Sequence, residues 1–450
     1  MKSCIRTALA CLMAISTKSY ATNIYQTIDH PKGEICEIPM RPDGVIYGSK
    51  QLEDLQELCE MDFYSEDFAT CFKDNSTNPG VQLFEVPEGR NRSSMERGSV
   101  NCAGEKKLAK FKQSITCSYT PSILGYYHVS QFFDGFALVP PTVYRTMDRH
   151  EHKVIVDRAI DHNSRILKFW KRFETAHSQY SKRPRLFLDA STDYKLYGAL
   201  SENPRGEGKY REIWGLYAGG VRYDYGERYI GFRLSKKSGF KFMKKTTPIK
   251  DQAISKKFKY AAHWVQRLKD ISGMIVIDYI MSQADRFVNQ HFVPYHVILT
   301  TEGSTQRYKT KKYSINSDKK VLVHKKKGTE IAYKDIAENV KYMMLKDNDC
   351  GVVKKNKMKI VGLLDDVNHL SPKFYARLLE WDTYIHSNTG GDYFREVAKF
   401  TQRDLQKVRG LTREAVDLLK KKCLSGQLKL DLALKPFMRG EYTYNRDNCE

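Results

Sequence analysis

Two polar clusters, each placed directly after an apolar segment, are the feature that most constrains how this chain can fold. The first cluster covers residues 278–291, follows the apolar run 271–277 and contains Asp285. The second begins about sixty residues later, follows another apolar run and contains Asp347 and Asp349. Hydrophobic segments of this kind become buried, so both clusters are expected to stand at the ends of core elements.

Carboxylates held at the ends of buried segments suit metal-assisted phosphoryl transfer. One Asp can accept the proton of an attacking hydroxyl, while another holds the Mg²⁺ or Mn²⁺ that neutralises the phosphates. A nearby side-chain amide can give such a hard cation a second oxygen ligand. Taken separately, each cluster has a plainer interpretation. Asp285 and Arg286 could form a surface ion pair, and the Asp347-Asn-Asp349 run could be a turn.

The N-terminus has the pattern of a secretory signal. Lys2 and Arg6 precede the short apolar stretch 7–15, and a small-x-small site ends at Ala21. We therefore predict a signal peptide over 1–21 and an exported protein, secreted or held in a periplasm or a secretory lumen. The alternative is a buried first helix. The apolar stretch is too short to span a bilayer, and we expect no transmembrane segment.

Eight cysteines remain after the predicted signal, and an even number in an exported chain favours disulfides. Five of them precede position 120, so at least one must pair outside that region or stay free. No C-x-x-C pair occurs, which makes a zinc site improbable. Sequence alone does not choose the partners. The eight are Cys36, Cys59, Cys71, Cys102, Cys117, Cys350, Cys423 and Cys449.

The formal net charge of +22 predicts attraction to polyanions such as glycans, nucleic acid or anionic lipid. Two basic segments, 233–259 and 301–330, are candidate contact surfaces. Aromatic residues interleave with the lysines of the first, as in nucleic-acid or lipid surfaces. Ordinary solvated faces are the alternative, and we interpret 301–330 as a mobile insertion.

A glycine-bounded turn at 98–104 is followed by an alternating stretch that predicts a strand over 105–112. Such a turn and strand could cradle the phosphates of ATP, with Gly104 in the turn and Lys110 or Lys112 on the α- and β-phosphates. A surface hairpin with solvated lysines is the alternative.

Helical spacing over 121–133 leads to a Val-Pro-Pro-Thr-Val segment at 139–143, which we predict to be an edge strand or the lead-in to a strand. Strands are also predicted at 185–189 and 197–200. The C-terminal part predicts helices, among them 371–381 and one starting at Thr412.

These patterns together predict an α+β fold of two lobes, a small mixed N-lobe and a larger helical C-lobe. Residues 22–97 are rich in loops and cysteine and would form a disulfide-stapled extension or the first part of the small lobe. We place the N-lobe at 98–200 and the C-lobe, with its basic insertions, at 201–450.

The order of these pieces resembles the atypical branch of the protein-kinase-like superfamily. That branch includes the secretory-pathway casein-type kinases, the HipA-type kinases and the type II phosphatidylinositol 4-kinases. The resemblance rests on the Val-Pro-Pro segment at 139–143, Asp285-Arg286, and the run Asp347 to Gly351. It implies an ATP- and metal-dependent kinase-like fold in which Asp285 is the catalytic base. It also implies Asp347 as the main metal ligand, with Asp349 as the competing choice.

By the same resemblance, a metal-ligating position five residues after Asp285 falls on Gln290, with Asn289 one position early but chemically better suited. Two departures from the pattern stand out. Phe287 replaces the usual histidine after Asp-Arg. The helix that should carry a Glu to pair with the nucleotide lysine has no acid between 118 and 133. Nucleotide binding could therefore be altered or lost.

Three hypotheses follow. The first is an exported kinase-like phosphotransferase that moves the γ-phosphate of ATP to a hydroxyl of a protein or, less favoured, of a lipid or sugar. The second is an inactive pseudokinase. The third is a non-enzymatic basic protein that binds polyanions through its two basic segments.

Overall fold

The computed structural model describes residues 24–74, 78–97, 102, 104–204, 206–210, 240–253, 258–286, 290–302, 304–335, 337–439 and 449. The predicted signal peptide (1–21) and the candidate ligand Asn289 lie outside these residues. So do parts of the basic segment 233–259. Within the described ranges, no helix combines the length and apolarity needed to cross a bilayer.

The strands are short, and most of them lie in the first half of the chain or between residues 290 and 345. Their bounds are β1 Tyr25–Asp29, β2 Ile35–Pro39, β3 Phe68–Phe72, β4 Val81–Glu85, β5 Lys107–Lys112, β6 Thr142–Met147, β7 Leu196–Glu202, β8 Gly208–Lys209, β9 Gln290–Leu299, β10 Thr305–Lys309, β11 Tyr313–Asn316, β12 Val321–His324, β13 Glu330–Ala332 and β14 Ala337–Leu345.

Helices occur along the whole chain, and the two longest, α8 and α12, lie in its second half. Their bounds are α1 Ser49–Glu60, α2 Arg92–Arg97, α3 Thr120–Phe132, α4 Arg149–Asp161, α5 Leu167–Ser178, α6 Phe240–Met243, α7 Ile249–Ala253, α8 Phe258–Ile280, α9 Lys357–Ile360, α10 Pro372–His386, α11 Asn388–Glu396, α12 Gln402–Leu424 and α13 Leu434–Arg439.

A seven-stranded sheet in the order β1-β2-β6-β7-β5-β4-β3 dominates the N-terminal part. All its neighbouring strands are antiparallel. Strands β1 to β4 come from residues 22–97, so this segment belongs to the same sheet as the strands that follow it, through the pairings β2–β6 and β4–β5. Strands β2 and β3 are each buried at four consecutive positions, so both of their faces are covered.

The predicted α+β fold is confirmed, with a sheet-rich N-terminal part and a helical C-terminal part. Helix α3 joins the two. All thirteen of its residues are buried, and Gly125 leaves room for the ring of Phe400, which a Cβ would approach to 2.8 Å. One hydrophobic cluster runs from Phe111 of the sheet through α3 to Trp381 of α10. Burial on this scale is the main force that holds the two parts together.

Four disulfides pair all eight cysteines that follow the predicted signal: Cys36–Cys59, Cys71–Cys102, Cys117–Cys350 and Cys423–Cys449. The first two staple the N-terminal part, as expected. Of the five cysteines before position 120, the one that pairs outside this region is Cys117, which reaches Cys350 beside the second polar cluster.

The structure corrects the predictions for two segments, 185–189 and 301–330. Residues 185–189 form a single bridge, Phe187 to Leu196, instead of a strand. Residues 301–330 contain β10 to β12 and the start of β13, in three antiparallel pairings, where the sequence predicts a mobile insertion. Alternating residues such as Val321-Leu-Val bury one side chain, Leu322, and this anchors the small sheet despite the high charge.

The last long helix starts at Gln402, well before the predicted start at Thr412. A capping box formed by Thr401 and Asp404 sets this start. Thr412 lies inside the helix, where its Oγ1 accepts a hydrogen bond from Trp381 Nε1 at 3.1 Å.

Of the two predictions for the Val-Pro-Pro segment, the lead-in to a strand is the one observed. Strand β6 begins at Thr142, after both prolines, and pairs with β2 and β7.

Candidate functional site

A buried lysine and two aspartates form the centre of the candidate site. Lys112, the last residue of β5, places its Nζ 2.7 Å from Asp349 Oδ2 and 3.6 Å from Asp347 Oδ1. The side chains of Lys112 and Asp349 are 10% and 5% exposed, whereas that of Asp347 is 33% exposed. The strand lysine and the second polar cluster, distant in sequence, therefore meet, and Asp347 is the carboxylate that faces outward.

Further hydrogen bonds fix Asp349 to the N-terminal part. Asn78 Nδ2 donates to Asp349 Oδ2 at 3.1 Å, and Thr116 Oγ1 donates to Asn78 Oδ1 at 2.6 Å. The Cys117–Cys350 disulfide links the residues next to Thr116 and Asp349. These contacts hold the segment after β14 against β5, so Asp349 has little freedom to change partners.

Arg286 of the first polar cluster donates hydrogen bonds to the second polar cluster. Its guanidinium is fully buried and forms a two-pronged ion pair with Asp278, at 2.8 and 2.9 Å. The same group donates to Asn348 Oδ1 at 2.8 Å and to the carbonyl oxygen of Asp347 at 3.3 Å. Tyr126 donates its hydroxyl to Asp278 at 2.7 Å. Arg286 is thus a positioning residue that joins the loop after α8 to the Asp-Asn-Asp turn.

Helix α3 touches this turn through Ser122. The Ser122 hydroxyl donates to the carbonyl of Asn348 at 2.6 Å and accepts from the amide of Gly351 at 3.1 Å. A Cβ on Gly351 would lie 2.5 Å from the Ser122 hydroxyl, so the close approach requires glycine here. As the sequence indicates, no acidic side chain reaches the lysine from α3, and the aspartates themselves compensate its charge.

The electrostatics of the cluster follow from burial and crowded lysines. Burial lowers the pKa of Lys112, but the charges of Asp349 and Asp347 raise it above its usual value. Burial would raise the pKa of Asp347, but Lys112, Lys110 and Lys73 together bring it below its ordinary value. Burial and then Lys112 lower the pKa of Lys73 to about 7. Burial likewise lowers the pKa of Lys110 well below its ordinary value. Asp347 is therefore a carboxylate over the whole physiological range, and Lys112 is the lysine beside it that stays fully charged.

A small cavity lies in front of these groups. Its volume is about 20 Å³, and its lining includes Lys110, Lys112, Glu202 and Asp347. A second cavity of about 350 Å³ shares Val139, Pro140 and Glu202 with it. Only the second has the volume of a small-molecule pocket. A triphosphate could reach Lys112 from the larger cavity only if the two spaces merged.

The residues present fit a phosphate-bridged Mg²⁺ or Mn²⁺ better than a closed metal cage. Within the described parts of the chain, no three His, Cys, Asp or Glu side chains form a group that could hold a metal. Mg²⁺ usually takes one or two carboxylates and fills its other positions with water and substrate phosphates. Asp347 offers an exposed carboxylate of this kind, whereas Asp349 Oδ2 already accepts from Lys112 and Asn78.

The other predicted site residues lie around this centre at differing distances. Lys110 lines the small cavity, but Gly104, in a turn with φ +88°, does not. Asp285 follows α8 in a partly exposed loop, with its amide donating to Gln283 Oε1 at 3.0 Å, and it does not line the cavity either. Gln290 is buried, and its Nε2 contacts the sulfur of Met274 at 3.5 Å. Asn289 lies outside the described residues.

Sequence reasoning missed four contributors: Lys73, Asn78, Ser122 and Glu202. Lys73 and Asn78 come from the cysteine-rich segment, which carries no motif for such a role. Ser122 lies in the stretch 121–133, for which the sequence predicts only a helix. Glu202 ends β7, opposite Ala109 of the lysine strand. A strand-pairing argument that places β7 beside β5 is the signal that could have found it.

No family model matches the chain, and no curated protein matches it either. Among solved structures, two crystal structures of a Golgi casein kinase match, the second with Mn/ADP bound. Each shares 10% identity over 83% of this chain and 76% of that chain, with a TM-score of 0.40. Golgi casein kinases belong to one of the groups that the sequence motifs resemble. At this similarity neither activity nor substrate transfers to this chain.

Proposed function

We propose that this chain is an exported kinase-like phosphotransferase that moves the γ-phosphate of ATP to a hydroxyl, foremost that of a protein. One observation carries the proposal: Lys112 lies against Asp349 and Asp347, at the meeting point of the sheet and the helical part. A lysine beside a metal-binding aspartate is the pair that phosphoryl transfer requires, because both neutralise charge on the phosphates.

In this proposal Lys112 binds the α- and β-phosphates, with Lys110 as an additional hydrogen-bond donor on the cavity wall. Asp347 holds the Mg²⁺ or Mn²⁺, which on binding would neutralise phosphate charge. Asp285 accepts the proton of the acceptor hydroxyl. Arg286, bonded to Asn348 and the Asp347 carbonyl, keeps the two polar clusters in register.

A pseudokinase is the second candidate, and two observations favour it. The cavity at Lys112 measures about 20 Å³, and the Lys112 ammonium is already paired with Asp349 at 2.7 Å. A triphosphate would have to compete with that pair. In a pseudokinase the ion pair would serve as a structural substitute for the nucleotide.

Separate features support the proposed export and the proposed contact with an acidic partner. The pairing of all eight cysteines is typical of an oxidising compartment, which supports export. Nine Lys and Arg residues in 301–330, against three acids, support the contact with an acidic partner or polyanion that the sequence predicts.

A transfer assay separates the candidates. The purified chain is incubated with γ-labelled ATP, Mn²⁺ or Mg²⁺ and a panel of acceptor proteins, beside Asp285→Asn and Lys112→Met. Active transfer that Asp285→Asn lowers by at least about a hundredfold supports the kinase, because general-base catalysis contributes about that much. Nucleotide binding without transfer supports the pseudokinase. If the chain neither binds nucleotide nor transfers phosphate, the proposal is refuted.

A further inference from the structure

A groove separate from the candidate site is lined by four cationic side chains and by no carboxylate. It has a volume of about 520 Å³ and lies between α5, the loop after β5 and the segment 182–186. The cations are Arg172 on α5 and Lys182, Arg183 and Arg185 on the segment. Neither predicted basic segment contributes to it, and no part of the proposed phosphoryl transfer uses it.

The floor and walls of the groove complement its charges. Ile115, Ala176 and Leu186 are buried apolar side chains that line it. The hydroxyl residues Ser114, Thr116 and Thr175 also line it. A ligand here meets an apolar surface, hydrogen-bonding groups and several cations within one space whose volume falls in the small-molecule range.

The four cations have few partners within the described parts of the chain. No ion pair is found there for any of them. Arg183 donates to Gln179 Oε1 at 2.8 Å, and Arg172 stands 5.3 Å from the centre of the Phe169 ring. Like charges gathered without counter-charge repel one another, and an anion bound among them relieves that repulsion. Three guanidinium groups also match the geometry of phosphate and sulfate oxygens.

The backbone that carries these side chains is tied to the sheet. The amides of Leu186 and Phe187 donate to the Arg183 carbonyl at 2.9 and 3.0 Å. Tyr197 of β7 donates its amide to the Leu186 carbonyl at 3.0 Å and its hydroxyl to the Pro184 carbonyl at 3.0 Å. Residues 183–187 are therefore held in one shape, and less ordering entropy is lost when a ligand binds.

We propose that this groove binds a small ring compound that carries several phosphate or sulfate groups. The volume of the groove and its apolar floor accept a ring, and the cations on α5 and on the 182–186 segment bind oxyanions on more than one side of it. The source of such a ligand is a free polyphosphorylated cyclitol or a sulfated sugar unit of a glycan, which share this chemistry.

Calorimetric titration of the full chain tests the proposal with two probes, inositol hexakisphosphate and a fully sulfated heparin-derived disaccharide. The tighter probe identifies the source. We expect at least one to bind about a hundredfold more tightly than inorganic phosphate, because it engages several charge-assisted hydrogen bonds at once. If neither binds more tightly than inorganic phosphate, the proposal fails.

Matched variants locate the site. Arg183→Gln with Arg185→Gln should weaken binding by about a hundredfold, at about tenfold for each lost charge-assisted contact. Arg185→Lys keeps the charge but loses the planar fork and should show a smaller loss. Arg403→Gln with Lys421→Gln, an equal charge change on exposed cations of α12 that lie outside the groove and outside both basic segments, should keep affinity within about twofold, because it removes only diffuse surface charge.

A further variant separates this proposal from the proposed function. Lys110→Met, at a lysine that lines the small cavity of the candidate site without pairing to Asp349, should leave the affinity of both probes unchanged, whether or not the chain binds nucleotide. Equal losses in the groove and control variants would mean diffuse charge attraction and would overturn the assignment. Loss of binding in Lys110→Met alone would place the ligand at the candidate phosphoryl-transfer site and would overturn it as well.

Discussion

Lys112 and Asp349 are 237 residues apart in sequence, yet their Nζ and Oδ2 atoms lie 2.7 Å apart. The contact joins the interior strand β5 to the turn that follows β14. Asp347, two residues before Asp349, lies 3.6 Å from the same ammonium and is the more exposed of the two. One lysine therefore ties down one carboxylate and leaves the other available to solvent, an arrangement suited to holding a metal and a phosphate at the same place.

Loss of Lys112 should destabilise the chain strongly. Lys112→Met leaves Asp349 buried without its main counter-charge, and breaking a buried pair in this way costs about 3–5 kcal/mol. Urea denaturation measures the change. Lys106→Met, which removes the exposed Lys106–Glu85 pair, is the matched control and should change the unfolding free energy by less than about 1 kcal/mol. Equal effects of both substitutions would contradict a buried, compensating role for Lys112.

The Arg286–Asp278 pair predicts a different mutational pattern. Arg286→Met strands Asp278 in a fully buried position and removes the donor to Asn348, with an expected loss of about 3–5 kcal/mol. Arg286→Met with Asp278→Leu replaces both charges by apolar groups and should recover part of that loss, as measured by urea denaturation. A double variant less stable than Arg286→Met would show that Asp278 is stabilised by other contacts.

The Cys117–Cys350 disulfide should contribute more stability than the shorter links. It spans 233 residues, whereas Cys423–Cys449 spans 26. In the chain-entropy account the longer loop adds about 2 kcal/mol beyond the shorter one. Denaturation of the two double Cys→Ala variants measures the difference. A larger loss from the Cys423 and Cys449 variant would contradict this ranking.

Asp270 predicts a pH dependence outside the candidate site. Burial raises its pKa to about 7, although hydrogen bonds from Gln266 and the Met343 amide oppose the rise. Between about pH 4 and about pH 7 the folded chain therefore keeps a proton that the unfolded chain has lost, so stability from this group falls as the pH rises. Below about pH 4 both states are protonated, and above about pH 7 the penalty is complete.

Asp270→Asn removes this titration. Its unfolding free energy relative to the natural chain should rise by up to about 1.4 kcal/mol per pH unit between about pH 4 and about pH 7. Denaturant titrations at several pH values measure this slope, with the exposed Asp392→Asn as control. A difference that stays constant across the window would contradict the raised pKa.

The sequence predicts the two halves of the site because each half is encoded locally. Alternation predicts the strand that ends at Lys112, and an apolar run followed by Asp and Asn predicts the turn at Asp347. The expectation that the strand and the turn meet in space rested only on the order of the motifs. The sequence does not choose between Lys110 and Lys112, because both lie on the same face of the strand. Which of the two meets the turn depends on the position of the strand relative to that distant turn.

Other contacts have no local signature. The pairing of Cys117 with Cys350 depends on how α3 and β14 pack, and the spacing of the cysteines in the sequence does not predict that packing. The local sequence around Arg286 is the same whether its side chain forms a surface ion pair or the fully buried pair with Asp278, so the sequence does not distinguish the two. The small sheet in 301–330 rests on single buried residues such as Leu322, and a high lysine content conceals such a weak alternation.

The most direct test of the central proposal is a thermal-shift titration of the full chain with ATP and Mg²⁺ or Mn²⁺. At a hundred times the dissociation constant, binding adds about 2.7 kcal/mol to the apparent stability. The shift should need metal, vanish in Asp347→Asn and persist in Asp285→Asn. In the proposal Asp347 holds the metal that the nucleotide needs, whereas Asp285 only accepts the proton of the acceptor hydroxyl. An unchanged melting temperature with every nucleotide and metal, or an undiminished shift in Asp347→Asn, would contradict the account.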